Sequence, residues 1–208
     1  MKIFIDTLDI NDIERYNRMG IIVGVTTNPT FMKKWGFKDT EDMIKQIRTV
    51  MPTGEIHVEV FKLSTREIID EAEYLNEKYS ELVFKIPFTY WGLRAVKKLE
   101  SNDIKCNVHL IFSVNQAIMA DAVGATYICP LVGRLDDIGA DGIHLIEQLN
   151  ETWINANIMV SSVRHPHHVQ QAAMHKFVEA ITIPPAVLDK MLYHPLTEKG
   201  IEQFESDA

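Results

Sequence analysis

Short runs dominated by Ile, Val and Phe recur along the whole chain, at residues 2–7, 21–26, 56–61, 82–86, 106–112, 126–132, 157–163 and 180–184. Several are apolar on both faces, as in Ile21-Ile22-Val23-Gly24-Val25 and Leu82-Val83-Phe84-Lys85-Ile86. That pattern suits parallel strands covered on both sides. The run starts lie between 19 and 35 residues apart, room for a helix and two short loops each time. The intervals have helical spacing. Residues 40–50 place Met43, Ile44, Ile47 and Val50 on one face, and residues 65–79 do the same with Ile68, Ile69, Ala72, Leu75 and Tyr79. Residues 92–99, 114–123, 142–153, 166–177 and 185–193 complete the predicted helices. Strands alternating with helices predict an α/β fold, and eight repeats favour one (β/α)8 TIM barrel over residues 1–208. The alternative, an open doubly wound sheet, usually carries a glycine-rich phosphate turn after its first strand. Here that turn reads Asp6-Thr7-Leu8-Asp9-Ile10.

Composition narrows the class. Hydrophobic residues make up 46% and charged residues 24%, ordinary for a globular chain able to bury a core. Lys+Arg minus Asp+Glu is 21 − 29 = −8, which argues against nucleic acid as a partner, since phosphate backbones require a positive footprint. Small phosphorylated substrates need only a few local cations. No apolar stretch is long enough to span a membrane, and the acid at Asp6 interrupts any leader-like start, so a cytoplasmic location is expected. Cys106 and Cys129 lack a C-x-x-C partner, which predicts neither a zinc site nor a disulfide framework.

In a barrel, chemistry comes from the C-terminal strand ends, so polar residues there carry the candidate function. Lys85 stands inside an apolar run, where lysine is almost never buried without a partner. It is either an edge lysine reaching solvent or a buried amine, whose burial would favour the neutral nucleophile needed for Schiff-base formation. Asp6 and Glu59 end or interrupt two other strands and can supply general acid and base; Asp9 or Asn11 is the better cap for the following helix. Thr26-Thr27-Asn28-Pro29 reads either as a turn or as an amide aimed at substrate hydroxyls. Arg134, Ser162 and Arg164 follow late strands, as surface residues or as a phosphate clamp. The run Arg164-His165-Pro166-His167-His168 invites a metal reading, but its spacing lacks an i, i+4 ligand face and no carboxylate completes it, so a surface loop and helix N-terminus are expected there.

These segments together resemble the transaldolase family, in the short-chain group that includes fructose-6-phosphate aldolase. The resemblance rests on Ile5-Asp6-Thr7, Gly24-Val25-Thr26-Thr27-Asn28-Pro29, Val83-Phe84-Lys85-Ile86-Pro87, Gly92-Leu93-Arg94-Ala95, Asn107-Val108-His109-Leu110-Ile111-Phe112, Pro130-Leu131-Val132-Gly133-Arg134 and Ser161-Ser162-Val163-Arg164, in family order. It implies a barrel without cofactor or metal. Lys85 is implied as the Schiff-base lysine and Asp6 as the acid/base carboxylate. Glu59 would hold a catalytic water, and Thr26 and Asn28 would position substrate beside Leu131. Arg134, Ser162 and Arg164 would bind phosphate. Substrates would be ketose and aldose phosphates. The C-terminal helical segment, residues 186–208, is implied to pack on a neighbouring subunit of a homo-oligomer.

The chain departs from the family pattern in places. His109 stands where the family has the threonine that shares the catalytic water, and is counted here among the catalytic residues. Cys129 replaces a serine of the larger transaldolases, and Leu131 their phenylalanine. Fructose-6-phosphate aldolases usually carry glutamine at the position of Glu59 and tyrosine at that of Leu131. Glu59 together with Leu131 therefore favours transfer to an acceptor over simple aldol cleavage. A non-catalytic sugar-phosphate-binding barrel is the expectation of a different class.

Overall fold

The computed structural model describes residues 1–60 and 62–208. Eight parallel strands close in chain order into a barrel: β1 (Lys2–Asp6), β2 (Gly24–Thr26), β3 (Glu55–Glu59), β4 (Leu82–Pro87), β5 (Cys106–Ile111), β6 (Tyr127–Pro130), β7 (Asn157–Val160) and β8 (Val178–Ile183), with β8 pairing back onto β1. The helices are α1 (Ile10–Arg18), α2 (Pro29–Trp35), α3 (Thr40–Val50), α4 (Thr65–Lys78), α5 (Tyr90–Glu100), α6 (Val114–Ala122), α7 (Val132–Asp136), α8 (Gly142–Asn150), α9 (Pro166–Ala173), α10 (Pro185–Leu192) and α11 (Pro195–Asp207). This is the (β/α)8 barrel that the alternating pattern predicts. None of these helices is long and apolar enough to cross a membrane.

Polar residues after the strands start the helices. Asp9, Asn28, Asp39, Ser64, Thr89, Ser113 and Asp141 each accept a backbone N–H of the first helical turn. Asp9 thus takes the cap that would otherwise occupy Asp6. Three helices go beyond the sequence expectation. α1 is mostly polar and buries Ile13 and Tyr16, α2 buries nothing, and α7 is a five-residue element. Several strands are shorter than their apolar runs. The run at 126–132 stops at Pro130 because α7 begins at Val132, and the run at 21–26 starts pairing as β2 at Gly24. The far end of the run at 56–61, Phe61, lies outside the described residues.

Strand alternation sends every second residue into the barrel and the rest toward the helices. Phe4, Val83, Tyr127, Cys129, Met159 and Ala180 form one interior cluster, while Phe84, Ile86 and Val108 join the outer core with Met43, Ile44 and Ile47 of α3. Gly24 makes the interior layer possible. A Cβ there would lie 2.2 Å from the Glu55 carbonyl oxygen and 2.6 Å from the Phe4 ring. Gly24→Ala is therefore expected to lower the unfolding free energy by about 1–3 kcal/mol, measured as a lower urea midpoint with an unchanged slope; an unchanged midpoint would show that β2 yields freely.

The N-terminal end of the barrel is plugged by polar side chains. Glu55 accepts from Lys105 Nζ at 2.7 Å and from Tyr127 Oη at 2.8 Å. Burial works to raise its pKa, but His57, Lys105 and Tyr127 outweigh burial and hold it at about 2. Asn107 Nδ2 donates to His57 Nδ1 at 3.0 Å, which leaves the His57 proton on Nε2, 3.5 Å from Glu55. With that end filled, the C-terminal mouth is the open one.

Candidate active site

Lys85 points into the barrel because β4 alternates, with Val83 and Lys85 inside and Phe84 and Ile86 outside. A closed barrel has no edge strand, so the solvent-reaching reading fails. Lys85 is 8% exposed. Its Nζ donates to the Thr27 carbonyl oxygen at 2.7 Å and lies 3.3 Å from Glu59 Oε2, the residue beside it in β3. The other Glu59 oxygen is 3.7 Å from His109 Nε2, an atom that has no hydrogen-bond partner among the described residues. On the neighbouring strands, Thr26 Oγ1 donates to Asp6 Oδ1 at 3.0 Å and sits 2.6 Å from Thr182 Oγ1. A hydroxyl carries one proton, so with Thr26 committed to Asp6, Thr182 is the donor in the second contact.

These contacts set the charge state of the site. Burial raises the Asp6 pKa against the opposing pull of Lys85 and the Thr26 hydrogen bond. Burial also raises Glu59, again against Lys85. His109 is driven well below the usual imidazole range by burial, then by the charges of Lys85 and Arg134. Desolvation thus moves both acids toward their neutral forms and keeps the imidazole neutral.

A cavity of about 630 Å³ opens above these groups. Asp6, Thr26, Asn28, Glu59, Lys85, His109, Leu131, Arg134, Ser162 and Arg164 all line it, so every candidate residue from the sequence meets in one place. Asn28 does two things at once: its Oδ1 caps α2 by accepting from Phe31 N at 3.0 Å, and it borders the cavity. Arg134 stands on α7 rather than on a loop. Arg164 is exposed, and its Nη2 donates to Asp137 Oδ2 at 2.8 Å. The rim backbone is strained at two non-glycine positions, Leu110 (φ 60°) and Ser162 (φ 59°), and Leu110 falls where the β5–β6 register shifts. Such conformations persist only when the surroundings hold them.

The sequence pattern of the transaldolase/fructose-6-phosphate aldolase family matches residues 3–208. The chain belongs to that family. A probable transaldolase of Clostridioides difficile is 46% identical across 100% of this chain and 96% of its own length. Probable transaldolases of Nitrosopumilus maritimus and Methanococcus vannielii are 42% and 44% identical, again across 100% of this chain and 94% and 97% of theirs.

For a transaldolase/fructose-6-phosphate aldolase family member, three features of this site were not assigned from sequence. Thr27 supplies the carbonyl that holds Lys85, and its Oγ1 donates to the His57 carbonyl at 3.0 Å, locking β2 onto β3. Nothing in a Thr-Thr-Asn-Pro string marks a backbone acceptor. Thr182 and Ser161 also line the cavity. Thr182 had a signal, an inward polar residue near the end of the last strand, but its partner Thr26 lies 156 residues away. The histidines at 165–168 have other partners: His165 caps α9, and His168 is buried against Asp136.

Proposed function

We propose that this protein is a transaldolase that moves a dihydroxyacetone unit from a ketose phosphate, fructose 6-phosphate or sedoheptulose 7-phosphate, to an aldose phosphate through a Schiff base on Lys85. The observation that carries the reading is Lys85, buried at the barrel mouth between two carboxyl groups and across one cavity from two guanidinium groups. Lys85 passes its ammonium proton to Glu59, 3.3 Å away, the freed amine attacks the C2 carbonyl, and the resulting carbinolamine loses water. Glu59, 3.3 Å from Nζ and with its pKa raised, is the group that passes a proton to the departing hydroxyl. His109, a neutral imidazole beside Glu59, holds the water or relays its proton where the family has a threonine. Asp6, steadied by Thr26, then takes the C4 hydroxyl proton as the C3–C4 bond breaks. The electrons of that bond flow into the iminium to form an enamine, which waits for an acceptor. Arg134, Ser162 and Arg164 bind the phosphate, which Arg forks suit, and Asn28 holds substrate hydroxyls. No step requires a cofactor.

Acceptor dependence tests the transfer reading. Glyceraldehyde 3-phosphate release from fructose 6-phosphate should be at least tenfold faster with erythrose 4-phosphate than without it. Equal rates would assign the chain to the aldolase side of the family. No covalent adduct with any ketose under borohydride would leave only a sugar-phosphate binder.

The same reading extends to assembly and location. α10 buries Val187 and Leu188 in this chain's own core, so the start of 186–208 belongs to the barrel. α11 buries none of its own residues and exposes Leu196, Ile201 and Phe204, which supports a homo-oligomer in which the α11 part of that segment packs on a neighbouring subunit. A cytoplasmic enzyme without nucleic-acid or membrane partners accords with the net charge of −8.

A further inference from the structure

The histidine-rich run that opens α9 packs beside the arginines that line the cavity. His168 is 4% exposed, and both ring nitrogens are engaged. Its Nδ1 accepts the backbone N–H of Arg164 at 3.3 Å, so the ring proton is on Nε2, which donates to Asp136 Oδ2 at 2.8 Å. Asp136 ends α7, the helix that carries Arg134, and its other oxygen accepts from Gly142 N at 2.9 Å, fixing α7 to the start of α8. Next to it, Asp137 receives the Arg164 guanidinium. The ring of His165 lies 3.8 Å from that of His168, and His165 Nδ1 accepts the His168 backbone N–H.

One imidazole therefore joins the backbone of Arg164 to the helix bearing Arg134. The approach is close. A Cβ at Gly133 would lie 2.2 Å from the Ser162 carbonyl oxygen and 2.7 Å from the Arg164 side chain. Ser162, between the two arginines, is one of the strained rim residues and needs its surroundings held to keep that conformation.

We propose that His168 is a positioning residue for the anion-binding wall: it sets the spacing of Arg134 and Arg164, and so the affinity for the phosphate of a phosphorylated substrate, without taking part in proton transfer. The proposal rests on the reading of these arginines as phosphate ligands. It separates His168 from the Lys85, Glu59 and Asp6 groups, which stand on β4, β3 and β1.

The test compares the intact wild-type protein with His168→Leu, which loses both ring contacts, and His168→Asn, whose amide oxygen can still accept from Arg164 N–H while the bond to Asp136 is lost. The first readout is inorganic phosphate binding, measured as the rise of Tm with phosphate concentration. The second is the rate of borohydride trapping with dihydroxyacetone, which has no phosphate. Loss of one or two buried hydrogen bonds at a site of this kind should raise the phosphate Kd about tenfold in His168→Leu and severalfold in His168→Asn. Trapping of dihydroxyacetone should stay at the wild-type rate. The KM for fructose 6-phosphate should rise with phosphate Kd while kcat holds.

Equal losses for phosphate binding and dihydroxyacetone trapping would reduce His168 to a general structural contact and overturn the proposal. An unchanged phosphate Kd in a folded variant would do the same. If His168→Leu does not fold, His168→Asn decides alone. Wild-type protein that binds phosphate but traps no ketose would defeat the transaldolase reading instead, and the Kd comparison would still judge His168.

Discussion

Lys85→Arg is expected to abolish both turnover and covalent trapping while leaving the barrel intact. Wild-type protein treated with borohydride and fructose 6-phosphate should gain the mass of one reduced sugar adduct on Lys85; the variant should gain none. The reason is chemical rather than steric. Guanidinium stays protonated at any pH a protein tolerates, so it offers no lone pair to a carbonyl. It does retain N–H donors for the Thr27 carbonyl and a positive charge for Glu59, the two partners that the lysine has now. Its fold should therefore be judged by an unchanged near-UV spectrum and a Tm within a few degrees. The substitution removes the nucleophile while keeping the ion pair, which distinguishes it from Lys85→Met. That variant would leave Glu59 buried without its cation and confuse lost chemistry with lost stability. An adduct that persists in Lys85→Arg would place the Schiff base on another amine.

Lys85 could be singled out from sequence because one cation in a run of apolar residues breaks the composition of its own strand. The strands were legible for the same reason: runs apolar on both faces have few alternatives in a chain of this size. α4, with its apolar spacing over four turns, was equally plain. Other parts left weaker traces. α1 places Ile10, Ile13 and Tyr16 three residues apart on one face, but its other positions are polar and hide that short stripe; α2 buries nothing, and α7 is too short to have a period. Arg134 looks like a loop residue in sequence and stands on a helix in the structure for that reason. Closing the barrel joins β8 to β1, and only this closure brings Thr182 to Thr26 and so to Asp6. Thr27 acts through its carbonyl oxygen, which every residue type possesses. His168 reads in sequence as part of a surface loop and helix start, and its burial is invisible there because its partners, Arg164 N–H and Asp136, are a backbone group and a residue from another repeat. Side-chain identity announces what chemistry is available; contacts made by backbone or across the closure decide which of it is used.

Asp6→Asn should lower kcat by about 10²–10⁴, the usual contribution of one positioned proton-transfer group, while imine formation continues. Asp6 enters after the imine, when the C4 hydroxyl loses its proton, so borohydride should still trap dihydroxyacetone on the variant at close to the wild-type rate. The wild-type pH profile follows from the same carboxyl group. Asp6 must be ionised to accept a proton, and burial raises its pKa despite Lys85 and Thr26. Activity should consequently fall on acidification at a pH above the ordinary aspartate range. Thr26→Val, which removes the donor to the carboxylate, should move that fall to higher pH. His109, held neutral by burial, should add no step near the ordinary imidazole range. The sign for stability runs opposite to that of a salt-bridged aspartate. With the folded pKa above the unfolded one, the folded state binds the proton more tightly, and stability is lost as pH rises through the folded value. Ionised Asp6 is thus a cost to the fold at neutral pH, and Asn, which stays neutral and can still accept from Thr26, should raise Tm slightly as it removes activity. Measuring kcat, trapping and Tm on the one variant separates these effects: a fall in Tm would mean that the Asp6 carboxylate supports the barrel, and a rate within threefold of wild type would take Asp6 out of the proton path.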